Sequence, residues 1–236
     1  MIEREVGCAA AYFTDRRGGT SRAPFDTANL ALHVEDDPVA VAANRAGVLT
    51  AAGMPTAAWV QPRHVHGTTV LVATDASRDG EEGDGVAAAR PGLALVAIGA
   101  DCAPIAIAND TAAAAIHAGW RGAVDGVVAA GVAAVRALGR GPVRAVVGPC
   151  ACAAHYEFGV ELLDELVARV GPEVAGVTHD GHPAFDLRAA IRVAFAREGV
   201  DAVEVLDVCT VESLDHYSYR RDGRTGRHGV VVTVRG

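Results

Sequence analysis

Leu93-Ala-Leu-Val-Ala-Ile-Gly-Ala-Asp-Cys-Ala-Pro-Ile-Ala-Ile-Ala-Asn-Asp-Thr-Ala-Ala-Ala-Ala-Ile-His117 holds three apolar runs, Leu93–Ile98, Pro104–Ala108 and Ala112–His117. Each run suits a buried strand, and the gaps between them are too short for a crossover helix. Three strands joined this tightly predict a mixed or antiparallel sheet rather than the strict alternation of a doubly wound fold. The turn Gly99-Ala100-Asp101-Cys102-Ala103-Pro104 places a cysteine between two of them, and Pro104 sends the chain into an extended path. His117 closes the third run, just before Gly119-Trp120-Arg121-Gly122.

Outward from that stretch, further strands are predicted at Cys8–Phe13, Thr69–Ala73, Arg144–Val147, Val203–Val208 and Val230–Val234. Four segments carry helical periodicity. The first runs from Pro38 to about Ala52, with Asp37 as its cap and Gly53 as its stop. The second starts near Gly122, with Val124, Val127, Val128, Val132, Val135 and Leu138 on one stripe. The third is Val160–Val170, and the fourth follows the cap Asp186. The polar stretch Asp75–Gly85 reads as a surface loop. The expected fold is therefore α+β: one layered domain over residues 1–236, mixed sheets flanked by helices. No Gly-x-Gly-x-x-Gly follows a strand, so a dinucleotide site is unsupported.

The chain has 236 residues, half of them hydrophobic, enough for a sizeable core. Its net charge of −8 argues against nucleic acid or an anionic membrane as the main partner. All 21 basic residues are Arg, which excludes a Schiff-base lysine and a P-loop lysine. Mixed charge at Glu3, Arg4 and Glu5 and a short apolar stretch from Gly7 to Phe13 do not read as a signal peptide. No run reaches transmembrane length, and five scattered cysteines suit reduced thiols in the cytoplasm.

His66, Cys102 and His117 each stand beside glycine-containing turns in or at the end of apolar runs. Two imidazoles and one thiolate form a three-donor zinc set whose fourth tetrahedral position stays open, the mark of a catalytic site. His64, two residues from His66, shares a strand face with it and is expected beside the ligands or facing substrate, with a fourth ligand as the other option. Copper fits less well, because a multicopper site needs many histidines and this chain has nine with a single His-x-His pair. Cys150-Ala-Cys152 has one residue between its cysteines, not the two of a redox motif, and reads as structural.

These three motifs, with Gly148-Pro149 leading to Tyr156-Glu157 and the tail Tyr217-Ser218-Tyr219-Arg220-Arg221-Asp222-Gly223-Arg224-Thr225-Gly226-Arg227, resemble the YfiH family. Its members carry labels from laccase-domain protein and polyphenol oxidase to purine nucleoside phosphorylase and peptidoglycan editing factor. Ser21 to Val34, Asp36-Asp37-Pro38 and Asn44-Arg45 extend the likeness over nearly the whole chain. The resemblance implies a single α+β domain, zinc on His66, Cys102 and His117, and purine nucleosides and phosphate as partners. It implies phosphorolysis of adenosine, inosine and methylthioadenosine, and deamination of adenosine. Two departures stand out: His64 replaces the family's usual Gln, and His155 replaces a frequent Cys.

Within that reading Asp101, next to Cys102, is the first candidate for moving protons, with Asp84 and Glu157 in reserve. Arg121 at a helix start, with Arg45, Arg220 and Arg221, is expected to bind phosphate. Phe25, Trp120 or Tyr219 would stack on a purine. Two other readings compete. One is a cysteine–histidine hydrolase or amidase acting on cell-wall precursors, with Cys102 as nucleophile and His117 as base. The other is a non-catalytic partner of the wall machinery.

Overall fold

The structure is a computed structural model that describes residues 1–236. Its strands are β1 (Ile2–Val6), β2 (Ala9–Phe13), β3 (Ala58–Val60), β4 (Val70–Val72), β5 (Gly85–Ala88), β6 (Leu93–Gly99), β7 (Ala103–Ala108), β8 (Ala113–Ala118), β9 (Arg144–Val147), β10 (Ala175–Val177), β11 (Pro183–Phe185), β12 (Val203–Val205) and β13 (His228–Val234). The helices are α1 (Pro38–Ala51), α2 (Trp120–Asp125), α3 (Val127–Leu138), α4 (Val160–Val170), α5 (Leu187–Arg197) and α6 (Tyr219–Asp222). One sheet has the order β1-β2-β13-β6-β3, a second β12-β9-β7-β8-β5-β4, and β10-β11 form a small ribbon. Both large sheets are mixed: β3 is parallel to β6 and β12 to β9, while β7 and β8 are antiparallel.

The two sheets stack face to face, which explains why their central strands lack polar alternation: both faces are buried. In β6, Leu93, Leu95 and Ala97 point between the sheets, and Ala94, Val96 and Ile98 point outward under Phe25, Leu30 and Leu49 of the α1 side. In β7 and β8 the inter-sheet positions are alanines (Ala106, Ala108, Ala113, Ala115), which let the sheets approach closely. The isoleucines Ile105, Ile107 and Ile116 face the other way, against α3 and α5. Each such buried side chain contributes about 1.5–3 kcal/mol. A Cβ on Gly131 would lie 2.8 Å from Ile107, so glycine seats α3 tightly on β7. The result is four layers: α1 with its loops, sheet, sheet, helices. No helix is long and apolar enough to cross a membrane.

The expected mixed sheets flanked by helices are present; several details differ. The helix predicted from Gly122 is two, α2 and α3, broken at Gly126, whose φ of 111° lies in the left-handed region. The strand predicted at Val203–Val208 stops at Val205. Strand β1 has no continuous apolar run to announce it, because Glu3 and Glu5 alternate out to solvent on a sheet edge. The polar stretch Asp75–Gly85 is not wholly a surface loop: Asp84 is fully buried, and Gly85 opens β5.

Chain crossings place the site. β6 belongs to one sheet and β7 to the other, so residues Ala100–Cys102 bridge the two at their open ends. β8 delivers His117 to the same end, and the loop after β3 brings His66.

Candidate metal centre

Asp84 organises the centre. One carboxylate oxygen accepts the His66 amide at 2.9 Å and faces His117 Nδ1 at 2.9 Å. The other accepts the amides of Gly67 at 2.6 Å and Val65 at 3.3 Å. Three successive N–H groups on one buried carboxylate hold the loop in its tight bend, including His66 at φ 60°. An ionised carboxylate only accepts, so His117 carries a proton on Nδ1, and Nε2 is the nitrogen left to meet a metal once its own proton is displaced. Asp84 therefore fixes the tautomer a metal needs.

The donor atoms of His66, Cys102 and His117 lie within 4.8 Å of one another, with Cys102 Sγ 3.8 Å from His66 Nε2. Burial pushes the Cys102 thiol up, but His117 and His66 beside it outweigh that and bring it down to about 6. Burial pulls the His117 imidazole down, while the Cys102 sulfur and Asp84 push it up to about 9. The residues fit a metal. A Cβ on Gly119 would stand 2.7 Å from His66 Cδ2 and 3.1 Å from Cys102 Sγ, so only glycine leaves the space between the donors clear.

His64 is not a fourth member. Its ring stacks flat on His117, with centroids 4.5 Å apart, and burial followed by the neighbouring His117 charge holds it well below its ordinary pKa. Its buried Nε2 has no hydrogen-bond partner, and other parts of the residue line the adjoining cavity. That cavity of about 400 Å³ opens beside the donors.

Arg121, Arg220, Trp120 and Tyr219 line the cavity together. Arg220 lies over the Tyr156 ring at 4.0 Å and Arg121 over Trp120 at 4.4 Å, so each guanidinium rests on an aromatic face. Asp101 also lines the wall at φ 94°, but its carboxylate accepts from Thr210 Oγ1 at 2.7 Å and the Arg220 amide at 2.7 Å. It clamps the C-terminal tail to the cysteine turn.

Arg45 and Arg221 are not brought to the cavity. Arg45 donates to the Leu30 carbonyl and Gln61 and lies over Trp59. Arg221 donates to the carbonyls of Thr210, Val211, Ser213 and His216 and pairs with Asp222. Both guanidinium groups are occupied by the chain itself, which corrects their expected phosphate role. Phe25 is core, beneath Arg224, and Glu157 is an exposed partner of His182. Sequence reasoning missed His33, Tyr156 and Arg227 on the wall. Arg227 stood inside the quoted tail, but only the folded tail separates it from the arginines around it.

Fold and site together define a four-layer protein with a histidine–cysteine donor set open to a cationic, aromatic cavity. The chain belongs to the multi-copper polyphenol oxidoreductase laccase family, whose pattern matches residues 10–235. A Streptomyces coelicolor relative named purine nucleoside phosphorylase is 43% identical over 221 residues, covering 91% of each chain. A Mycobacterium tuberculosis protein of the same name is 40% identical, covering 93% of this chain and 89% of its own. The crystal structure of a Neisseria meningitidis protein superposes with a TM-score of 0.87 at 31% identity, covering 97% and 95% of the two chains. That of Bacillus licheniformis YfiH gives 0.87 at 26% identity, covering 96% and 93%.

Proposed function

We propose that this protein is a zinc-dependent purine nucleoside phosphorylase acting on adenosine, inosine and methylthioadenosine. One observation carries the reading: the cavity sets Arg121, Arg220 and Arg227 around one space beside the donor trio. Relatives over nine-tenths of the chain bear that enzyme name.

His66, Cys102 and His117 would hold the zinc. Of the two methionines, Met1 and Met54, neither lines the cavity, so the thioether common in copper sites of this donor type is missing. Bound zinc supplies Lewis-acid polarisation at its open position. The arginines place phosphate with its oxygens toward the nucleoside and neutralise it. Trp120 and Tyr219 offer aromatic faces to the purine. His64, held neutral by burial beside His117, forms part of the wall that the base or sugar would meet. Phosphate attack at C1′ then releases the base and leaves the sugar 1-phosphate.

Deamination of adenosine ranks second. It needs a carboxylate free to move protons, and both oxygens of Asp101 are engaged. A hydrolase reading is favoured by one observation: Cys102, His117 and Asp84 line up as nucleophile, base and orienting acid. Free cysteines suit a cytoplasmic location.

The deciding experiment combines metal analysis with chromatography of adenosine incubated with and without phosphate. Adenine and ribose 1-phosphate, formed only with phosphate and lost on chelation, are expected. Inosine alone would move the assignment to deamination. No nucleoside turnover by zinc-loaded protein would overturn the proposal, and activity abolished by alkylating metal-free protein would favour the hydrolase.

A further inference from the structure

Behind the cavity lies a second set of soft donors. β9 and β12 run parallel, pairing Ala145 with Val203 and Val147 with Val205, and the parallel contact continues to a bridge between Cys150 and Cys209. Beyond it each segment turns. The His155 amide donates to the Cys152 carbonyl at 3.0 Å, and the Ser213 amide to the Cys209 carbonyl at 2.9 Å. Each turn carries its i+3 side chain back beside its cysteine, so Cys152-x-x-His155 meets Cys209-x-x-Glu212. The donor atoms of all four residues lie within 4.8 Å of one another. His155 Nε2 is 3.0 Å from Glu212 Oε1, and Cys152 Sγ is 3.9 Å from it. Cys150 takes no part; it is fully buried in the core.

We propose that Cys152, His155, Cys209 and Glu212 form a second, structural metal site for a zinc-class divalent cation. Two sulfurs, an imidazole and a carboxylate are a full tetrahedral set, so unlike the catalytic trio this one leaves no open position. Zinc–ligand bonds of about 2.0–2.3 Å require the donors to draw in only slightly from the present spacing. Cys209 is buried and Cys152 half-buried, while His155 and Glu212 reach the surface, which gives the ion a way in. His179, 3.6 Å from Glu212, stands at the rim. Two thiolates and a carboxylate around a dication leave one negative charge. Arg188, within electrostatic reach of Cys152 and anchored on Asp207 and the Val208 carbonyl, offsets it.

The site has a purpose in the fold. Ala151, next to Cys152, donates its amide to the Asp101 carbonyl, and Thr210, next to Cys209, donates to the Asp101 carboxylate. A cation joining the two cysteines ties together both segments that grip the turn bearing Cys102. The proposal stands independently of the nucleoside reading.

Metal content of zinc-loaded protein is the test, compared among the unaltered protein, Cys152→Ser, His155→Ala and Cys102→Ser. Each of the first two variants is expected to lose one equivalent per chain relative to the unaltered protein, and a different equivalent from that lost in Cys102→Ser. The double Cys102→Ser, Cys152→Ser protein is expected to lose both. His155 is half-exposed, so its replacement spares the core, and circular dichroism confirms the fold. Cobalt-loaded protein should show thiolate charge-transfer absorption that Cys152→Ser removes in part. Unchanged metal content in both Cys152→Ser and His155→Ala overturns the proposal, as does a Cys152–Cys209 disulfide in metal-replete protein.

Discussion

Replacing Asp84 by Asn isolates what the buried carboxylate does. The change keeps size and removes charge. Asp84 now accepts from three amides and His117 Nδ1 with two oxygens. The amide has one oxygen and one NH2, so either the Gly67 and Val65 amides or the His66 amide and His117 Nδ1 lose their acceptor. If the NH2 faces His117, the imidazole is driven to accept at Nδ1 and carry its proton on Nε2, which blocks metal binding there. Two lost hydrogen bonds in a buried place cost about 2–4 kcal/mol in stability. For a chain of this size that is a fall of about 4–16 °C in melting temperature. Loss of the group that orients a metal-binding histidine costs about 10–100-fold in metal affinity. Competition of the purified variant against a chelator gives the affinity, and melting curves with and without zinc separate the two effects. An Asp84→Asn protein that melts lower yet binds zinc as tightly as the unaltered protein would refute the tautomer argument and leave Asp84 as a loop anchor only.

Adjacent arginines should behave oppositely. Arg220→Ala removes a cavity guanidinium and is expected to raise the phosphate KM about 10–100-fold, the loss of one charge-assisted contact, with little change in melting. Arg221→Ala takes the side-chain donor from the Thr210, Val211 and His216 carbonyls and one of two donors from Ser213, and is expected to cost about 2–4 kcal/mol in stability, measured by denaturant titration. Equal KM effects in the two variants would contradict the placement. In metal-free protein, Cys102 is depressed to about 6 and His117 raised to about 9. The thiolate contribution to stability is therefore complete above the ordinary thiol range and disappears as pH falls through about 6; the imidazolium contribution is complete below its ordinary value and disappears as pH rises through about 9. Alkylation of Cys102, followed by peptide mass spectrometry, should reach half its maximal rate near pH 6; a half-point at an ordinary thiol value of about 8.5 would count against the pair.

What could be read without coordinates was local. The runs in Leu93–His117 announce strands because each is continuous and short, and His66, Cys102 and His117 stand out because each sits at a glycine-marked turn. What could not be read depends on register across long separations. Asp84 ends the most polar stretch of the chain and looks solvated; its burial follows from β5 pairing with β8, which sets it beside a histidine 33 positions away. Arg220 and Arg221 are indistinguishable as neighbours, yet the short helix α6 aims one at the cavity and the other into the tail. Cys152 and Cys209, 57 positions apart, meet because β9 and β12 are parallel, and no local pattern encodes that. Chemistry-bearing residues at strand ends are thus legible from sequence when the turn that exposes them is their own. When the partner arrives from another strand, the sheet register must be known first, and a residue that looks like surface can be the one that makes the site work.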